Sequence, residues 1–328
     1  MEPECAANWS AVSNSALISV IFSTYNGEAT LPAMLAALRN VLPPTGGWEI
    51  IAVDNGSNDR SAQILQASAA LLPLRCLNHP TRGKNRALNA AVRVARGELF
   101  AFTDDDVLPD VRWLQRLEAA SHAMPEYDIL GGGIRPHWPK APEPWILADV
   151  PIGMTYGVTD PLLPRGGVYP GLIWGANMLV RRVVFEAGLR FNEAVGPAAG
   201  QYTMGSETEF NLRASAAGHR CGFEPDAVVS HMIRENQMER GWVLARAYRY
   251  GRNVWNEEQS SVNSSSVPML LGVPRWRFRK YLDYRWSSLR HHLRGQPEQA
   301  FRYDWELNFL RGYFAQWWNT CQTASPKP

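Results

Sequence analysis

Residues 98–110 read ELFAFTDDDVLPD, an apolar run that stops abruptly at three adjacent carboxylates. A short run of this kind is typical of a strand buried on both faces, as in parallel sheets. Asp104, Asp105 and Asp106 therefore lie where a buried strand surfaces, and as ionised neighbours they repel one another. Something must compensate that charge. Two upstream stretches have the same form, ALISVIFSTYN (16–26) and WEIIAVDNGSND (48–59), each ending in small polar residues. Segments of helical spacing follow them: ATLPAMLAALRNVL (29–42), RSAQILQASAALL (60–72) and GKNRALNAAVRVARG (83–97), the last closed by Gly97. PLRCLNH supplies a third strand before the last of these helices. Strands alternating with helices imply parallel βαβ units, whose ligands bind outside the carboxyl ends of the strands. The pattern puts Thr24, Asp54 and Asp104–Asp106 along one edge of one sheet.

Beyond Asp110 the pattern loosens. WLQRLEAASHAM reads as a helix, Gly131–Gly133 as a tight bend, and 134–172, rich in Pro, Trp and Gly, as an irregular excursion. GLIWGANMLVRRVVFEAG returns to strand and helix, VGPAAGQYTMGS (195–206) is a mobile small-residue loop, and ETEFNLRASAAG is a helix closed by Gly218. DAVVSH (226–231) is a strand ending in His231, and from Asn236 onward the chain reads as helices rich in Arg, Trp and Tyr.

Composition bounds the function classes. At 328 residues and 45% hydrophobic, the chain can bury a large core. Its net charge of only +2 and lack of a matching motif argue against nucleic acid as a partner. Four widely spaced cysteines without a CxxC suit a reduced, cytoplasmic compartment rather than a disulfide framework. The N-terminus has no secretory apolar region, and no apolar run reaches the roughly 18 residues of a membrane span.

At a strand-end carboxylate cluster, two readings compete: a solvated turn, or a divalent cation shared with a substrate diphosphate. No P-loop and no strand-linked GxGxxG is present to cradle a phosphate through backbone amides, so a metal is the natural counter-charge. Taken together, SVIFSTYNGEATL, EIIAVDNGSNDRS, GKNRALNAAVRVARGELFAFTDDDVLPD, WGANMLVRR, GSETEFNLRASAAG and DAVVSH resemble the family 2 glycosyltransferases. They occur in family order over residues 17–235, about two thirds of the chain.

The resemblance implies a GT-A fold of the α/β class: a Rossmann-like, mixed but mostly parallel sheet flanked by helices, with a C-terminal helical extension. It divides the chain into a tail (1–16), a catalytic domain (17–235; nucleotide-binding half 17–110, acceptor half 111–235) and the extension (236–328). Asp54 is then expected to bond the nucleotide base beside Thr24, and Glu28 to approach the ribose. Asp104 points towards the ribose, and Asp106 binds Mn²⁺ or Mg²⁺ with His231 completing the site. Asp105, Lys84, Arg86 and Asn89 lie near the donor. Trp174 stacks on a sugar face and Asn177 binds the donor sugar. Four of these residues keep plainer alternatives: a solvated helix start for Lys84 and Arg86, a core position for Trp174, and a satisfied structural histidine after an apolar strand for His231. The expected base is Glu207, although GSETEF departs from the usual GEDTEF by placing Ser206 for glutamate and Glu207 for aspartate. Helix geometry supports that choice. Residues two apart point about 200° apart, Glu207 leads the apolar stripe Phe210, Ala214 and Ala217, and Glu209 stands four residues before Arg213, the order of a surface ion pair.

The implied function is inverting transfer of a sugar from a nucleotide-sugar donor, a UDP-sugar by first expectation, to a glycan or lipid-linked acceptor in polysaccharide or cell-surface glycan synthesis. A nucleotide-sugar-binding scaffold and a nucleotidyltransferase are the competing readings. The second lacks the glycine-rich basic loop it would need in STYNGEATL. Residues 275–294 hold seven Arg or Lys against one acid, with Phe278, Leu282, Trp286, Leu289 and Leu293 at helical spacing. Helices packed on the protein, or a segment over 275–318 lying on an anionic membrane at its cytoplasmic face, both fit that pattern.

Overall fold

The computed structural model describes residues 18–198, 201–202, 205–260 and 268–324. The tail 1–16 and residues 199, 200, 203 and 204 of the small-residue loop lie outside the described residues. The first half alternates as its periodicity requires: β1 Ile18–Thr24, α1 Leu31–Arg39, β2 Trp48–Asp54, α2 Ser61–Ser68, β3 Leu74–Asn78, α3 Lys84–Val94 and β4 Leu99–Thr103. Then come β5 Val107–Pro109, α4 Trp113–Ala123, β6 Ile129–His137, α5 Pro144–Asp149, α6 Ile152–Tyr156 and β7 Gly166–Gly167. β8 Asn177–Arg181, α7 Arg182–Glu186, β9 Pro197–Ala198, β10 Gln201–Tyr202, α8 Ser206–Ala216 and β11 Cys221–Met232 complete the sheet region. The C-terminal part consists of α9 Arg240–Ser260, β12 Met269–Leu270, β13 Val273–Pro274, α10 Arg275–Leu293 and α11 Pro297–Ala324.

Nine strands form one sheet in the order β3-β2-β1-β4-β8-β6-β11-β5, with β7 on β11. β1 to β4 are mutually parallel, β8 runs antiparallel between β4 and β6, and β11 is parallel to β6. This is the mixed, mostly parallel sheet flanked by helices that was expected. Register fixes the edge: Thr24 pairs with Asp54, and Asp54 with Asn78. Apart from Trp48 at the start of β2, the apolar positions of β1, β2 and β4 are buried, as two-sided cover by helices demands.

Two expectations about glycine are corrected. Gly131–Gly133 make no bend; they run straight through β6. A Cβ on Gly132 would sit 2.3 Å from Asn177 Nδ2 and 2.5 Å from the Ala227 carbonyl, so the strand accepts only glycine there. Gly97 does not close α3, which ends at Val94 with Ala95 already extended. Its Cβ would lie 2.6 Å from the Ser19 nitrogen, so Gly97 permits close approach to β1. Gly218, by contrast, does close α8, at φ +99°.

By contact, the chain forms two compact units. The first is the sheet with its helices; the second groups 233–328 with Trp138–Tyr156, a segment that the sequence reading kept in the acceptor half. Aromatic packing explains the grouping: Trp145 meets Phe301 at 4.6 Å between ring centroids, and Tyr156 stacks on Trp242 at 6.0 Å. Trp255 meets Tyr313 edge-on at 5.2 Å, so many of the C-terminal aromatics are helix-packing residues. α9 and α11 cross backbone to backbone. A Cβ on Gly251 would come 1.9 Å from the Phe309 carbonyl oxygen, and one on Gly312 equally close to that of Tyr248. Gly312→Ala should therefore lower stability by about 3 kcal/mol or more through overpacking. Gly241→Ala, with nothing within 4 Å of its Cβ, should be neutral or gain up to about 1 kcal/mol of helix propensity. Denaturant unfolding of the two variants measures the difference.

Candidate active site

The three aspartates are compensated separately. Lys84, first residue of α3, places its Nζ 2.7 Å from Asp104 Oδ1 and 3.1 Å from Glu207 Oε1. Asp105 turns the other way and accepts a 2.5 Å hydrogen bond from the Thr24 hydroxyl. Asp106 Oδ1 stands 3.4 Å from His231 Nε2. That last pairing is set by backbone. β5 pairs antiparallel with β11, placing His231 opposite Val107, and Met232 N donates to Asp106 O at 2.8 Å.

Electrostatics follow from these partners. Burial alone would lower the Lys84 pKa, but the charges of Asp104 and Glu207 outweigh it and hold the ammonium well above its usual range. Burial pushes Glu207 up, yet Lys84 and hydrogen bonds from its own amide and from Ser206 bring it below the ordinary glutamate value. Glu207 is thus an ionised carboxylate beside the cluster. Asp105 is raised to about 7, by burial first and then by the Asp106 charge. Asp104 is raised as well, by burial that Lys84 only partly offsets.

Packing determines how Glu207 is presented. Phe210, one turn along α8, stacks on Phe191 at 4.5 Å between centroids and on Phe185 at 5.5 Å, which holds the helix against the sheet. Gly175 supplies the space: a Cβ there would fall 2.4 Å from both Cγ and Oε1 of Glu207. Glu209 points elsewhere, pairing with Arg213 at 2.5 and 3.0 Å. The helix phase read from sequence holds for Phe210 and Ala214, which are buried, but not for Ala217, which is exposed just past the end of α8.

Other expected residues are placed as follows. Asp54 keeps the carboxyl edge beside Thr24 and caps a turn by accepting from Ser57 N at 3.0 Å. Glu28 accepts from the Arg60 amide and guanidinium, and those bonds lower its pKa. Arg86 pairs with Glu193 at 3.4 Å. Lys84 is no solvated helix start. Trp174 is half-buried rather than core; a Cβ on Gly157 would touch both its ring, at 3.6 Å, and His231 Nδ1, at 3.7 Å.

Two asparagines are not brought to the donor edge. Asn89 is buried and spends its amide on Phe191 N, Phe191 O and Glu193. Asn177 is fully buried, accepting from Trp113 Nε1 and donating to the carbonyls of Gly133 and Ala227. Each is a structural clasp, because unsatisfied backbone groups in these places would be costly.

Sequence reading passed over three features. Asn55 accepts from Gly83 N and donates to His79 O and Thr81 O, fixing the loop that leads into Lys84. Arg82 lies over the Tyr25 ring at 3.7 Å, beside the Thr24–Asp54 edge. Gly175 is the third. Asn in DNGSN carried a usable turn signal; the glycine and the Arg–Tyr pair carried none, since their partners are distant in sequence.

For a divalent cation the donor set is a carboxylate oxygen and an imidazole nitrogen, chemistry suited to Mn²⁺ or Mg²⁺. Among the described residues no group of three or more His, Cys, Asp or Glu could hold a metal alone. Asp106 and His231, 3.4 Å apart, are two groups whose chemistry fits such an ion, with its remaining ligands to come from elsewhere. If Gly175 is what admits Glu207, Gly175→Ala should leave the fold intact and lower any Glu207-dependent turnover at least about a hundredfold, as misplacement of a catalytic group does. Glu209→Gln should cost only a few tenths of a kcal/mol. Turnover and thermal unfolding of both proteins provide the check.

Residues 19–156 match the family described as Glycosyl transferase family 2. The glycosyltransferase AglE of Haloferax volcanii is 25% identical over 250 residues, covering 75% of this chain and 76% of AglE. The succinoglycan biosynthesis protein ExoM of Rhizobium meliloti is 25% identical over 229 residues, 67% of this chain and 70% of ExoM. Among solved structures, the mannosyltransferase PcManGT of Pyrobaculum calidifontis, in complex with GDP-Man and Mn²⁺, superposes with a TM-score of 0.54 at 18% identity, over 95% of this chain and 76% of that one. The ordered motifs, the sheet that gathers them on one edge, and these matches agree: residues 19–156 form a glycosyl transferase family 2 domain, and the protein is a glycosyltransferase.

Proposed function

We propose that the protein is an inverting transferase that moves a sugar from a nucleoside-diphosphate sugar to an acceptor hydroxyl, in the synthesis of a polysaccharide or other cell-surface glycan. The observation that carries this is Glu207, an ionised carboxylate held 3.1 Å from Lys84 next to the strand-end aspartates. The nucleotide lies along the Thr24–Asp54 edge, with Asp54 offering a carboxylate oxygen to the base and Asp104 reaching towards the ribose. Glu207 takes the proton of the acceptor hydroxyl, the hydroxyl oxygen bonds to the anomeric carbon, and the bond from that carbon to the diphosphate oxygen breaks. A single displacement of this kind inverts the anomeric configuration. Asp106 and His231 would hold Mn²⁺ or Mg²⁺, whose charge favours departure of the diphosphate. Lys84 keeps Glu207 ionised and in place.

The acceptor is a glycan or lipid-linked hydroxyl, and the protein works peripherally at a membrane surface. The succinoglycan relative supports a polysaccharide setting by its name. No helix among the described residues is long and apolar enough to cross a bilayer.

Metal dependence and base chemistry are separable. Asp106→Asn should abolish Mn²⁺-dependent binding of a nucleoside diphosphate, whereas His231→Ala should weaken it less because water can fill the position. Retained Mn²⁺-responsive binding in Asp106→Asn would refute this metal site. Glu207→Gln should bind donor normally and lose transfer by orders of magnitude.

The pH profile adds a test of Lys84. Because Lys84 depresses the Glu207 pKa, Lys84→Met should raise it. The acid limb of kcat/KM then moves to higher pH. Lys84→Arg should leave the limb near its original position. An unmoved limb in Lys84→Met would mean that another group is the base.

A further inference from the structure

α10 carries an apolar stripe that the described residues leave uncovered. Its inner side packs on α11: Phe278 stacks on Phe314 at 4.9 Å, Tyr284 lies 6.2 Å from Tyr303, and Ser288 bonds Asp304 at 2.5 Å. Phe278 therefore does not belong to the outward face on which sequence spacing put it. Leu282, Trp286, Leu289 and Leu293 do, with relative exposures of 64%, 68%, 49% and 79%. At about 100° per residue these four fall within an arc of roughly 60°, away from Tyr284 and Ser288 and bordered on one side by the packed Phe278. Arg275, Arg279 and Arg290 share or border that arc, and Lys280, Arg285 and Arg294 are exposed beyond it.

A second feature lies immediately before the helix. β12 and β13 pair through Leu270 and Val273, leaving Leu271–Gly272 as a two-residue turn. Both residues have positive φ, +52° and +77°. Such turns favour Asn-Gly, and leucine is strained at the first position. The Leu271 side chain is nevertheless 71% exposed at the tip, between the exposed Leu270 and the glycine. A strained backbone here displays an apolar side chain to the outside.

From these two observations we infer that α10 and the Met269–Leu271 tip form a docking surface for an anionic lipid bilayer. The stripe and the tip insert at the level of the headgroups. The flanking arginines stay with the phosphates while their stems lie along apolar surface. Trp286, in mid-stripe, suits the interfacial zone that tryptophan prefers. A second copy of the chain fits less well. Two such stripes face to face would bring the arginines that share or border one against those of the other, an arrangement of like charges. An anionic bilayer supplies the opposite charge over the whole length of the helix.

This deepens the peripheral placement proposed above and rests on it for location only; an assay without donor or acceptor keeps the two readings apart. The full chain is sedimented with vesicles of phosphatidylcholine alone and with phosphatidylglycerol added. Binding is expected only to the anionic vesicles, with release as salt is raised. The exposed-face variant Leu282→Ser/Trp286→Ser should bind at least about tenfold more weakly, with unchanged circular dichroism. Leu271→Asn should bind more weakly while unfolding at the same or a higher temperature, which a merely structural leucine would not do. Sedimentation equal for neutral and anionic vesicles, or none at low salt, overturns the inference. So does wild-type binding by both variants, or self-association of the chain that Leu282→Ser/Trp286→Ser abolishes.

Discussion

One ammonium group holds the active edge of this protein together. Lys84 Nζ lies between Asp104 and Glu207, residues on a strand end and a helix start that are about a hundred positions apart in sequence. In that partly dry place each carboxylate alone would be driven towards its neutral form. The lysine reverses this for Glu207 and limits it for Asp104, leaving Glu207 an ionised carboxylate next to the cluster. Its own position depends on Asn55, whose amide ties 79–83 to the end of β2 just before α3 begins. The chain of dependence thus runs from a turn asparagine, through a helix start, to the charge state of Glu207.

The sheet makes the remaining juxtapositions with backbone rather than side-chain bonds. The antiparallel pairing of β5 with β11 brings His231 to Asp106, and parallel register brings Asp54 to Thr24. Glycines at 97, 132 and 175 complete the arrangement by leaving out a Cβ where neighbours come within 2.3–2.6 Å. The cluster of phenylalanines around Phe210 presses α8 onto this frame. Each buried phenylalanine of that kind contributes roughly 1.5–3 kcal/mol, enough to keep Glu207 from swinging with its helix.

The helical unit follows another rule. α9 and α11 cross so closely at Gly251 and Gly312 that their backbones touch, and aromatic rings fill the space on either side. α10 packs one side only. A helix with Phe278, Tyr281 and Tyr284 packed on α11 on one side and exposed leucine, tryptophan and arginine on the other carries a surface more apolar than folding requires. Its inward aromatics account for packing; its outward ones call for a partner.

Much of the fold was legible because it is local. Two-sided burial writes itself as unbroken apolar runs, helices as a period near 3.6, and the polar residues ending β1, β2 and β4 had to emerge on one edge. The phase of α8 alone separated Glu207 from Glu209, since both constraints lie within one helix. Other features were beyond that reach. Asn89 and Asn177 look like polar residues free to meet a sugar until the carbonyls they satisfy come from strands and loops 44 to 102 residues away. Gly131–Gly133 look like a bend until the side chains that exclude a Cβ are in place. Lys84 could be read either as a donor contact or as a solvated helix start, because its two carboxylate partners are assembled only when β4 and α8 meet. Sequence by itself determined the elements, the edge and the inward carboxylate. Which side chains are spent on the frame and which remain for chemistry was decided by long-range contact, where hydrogen-bond and charge partners are supplied by distant parts of the chain.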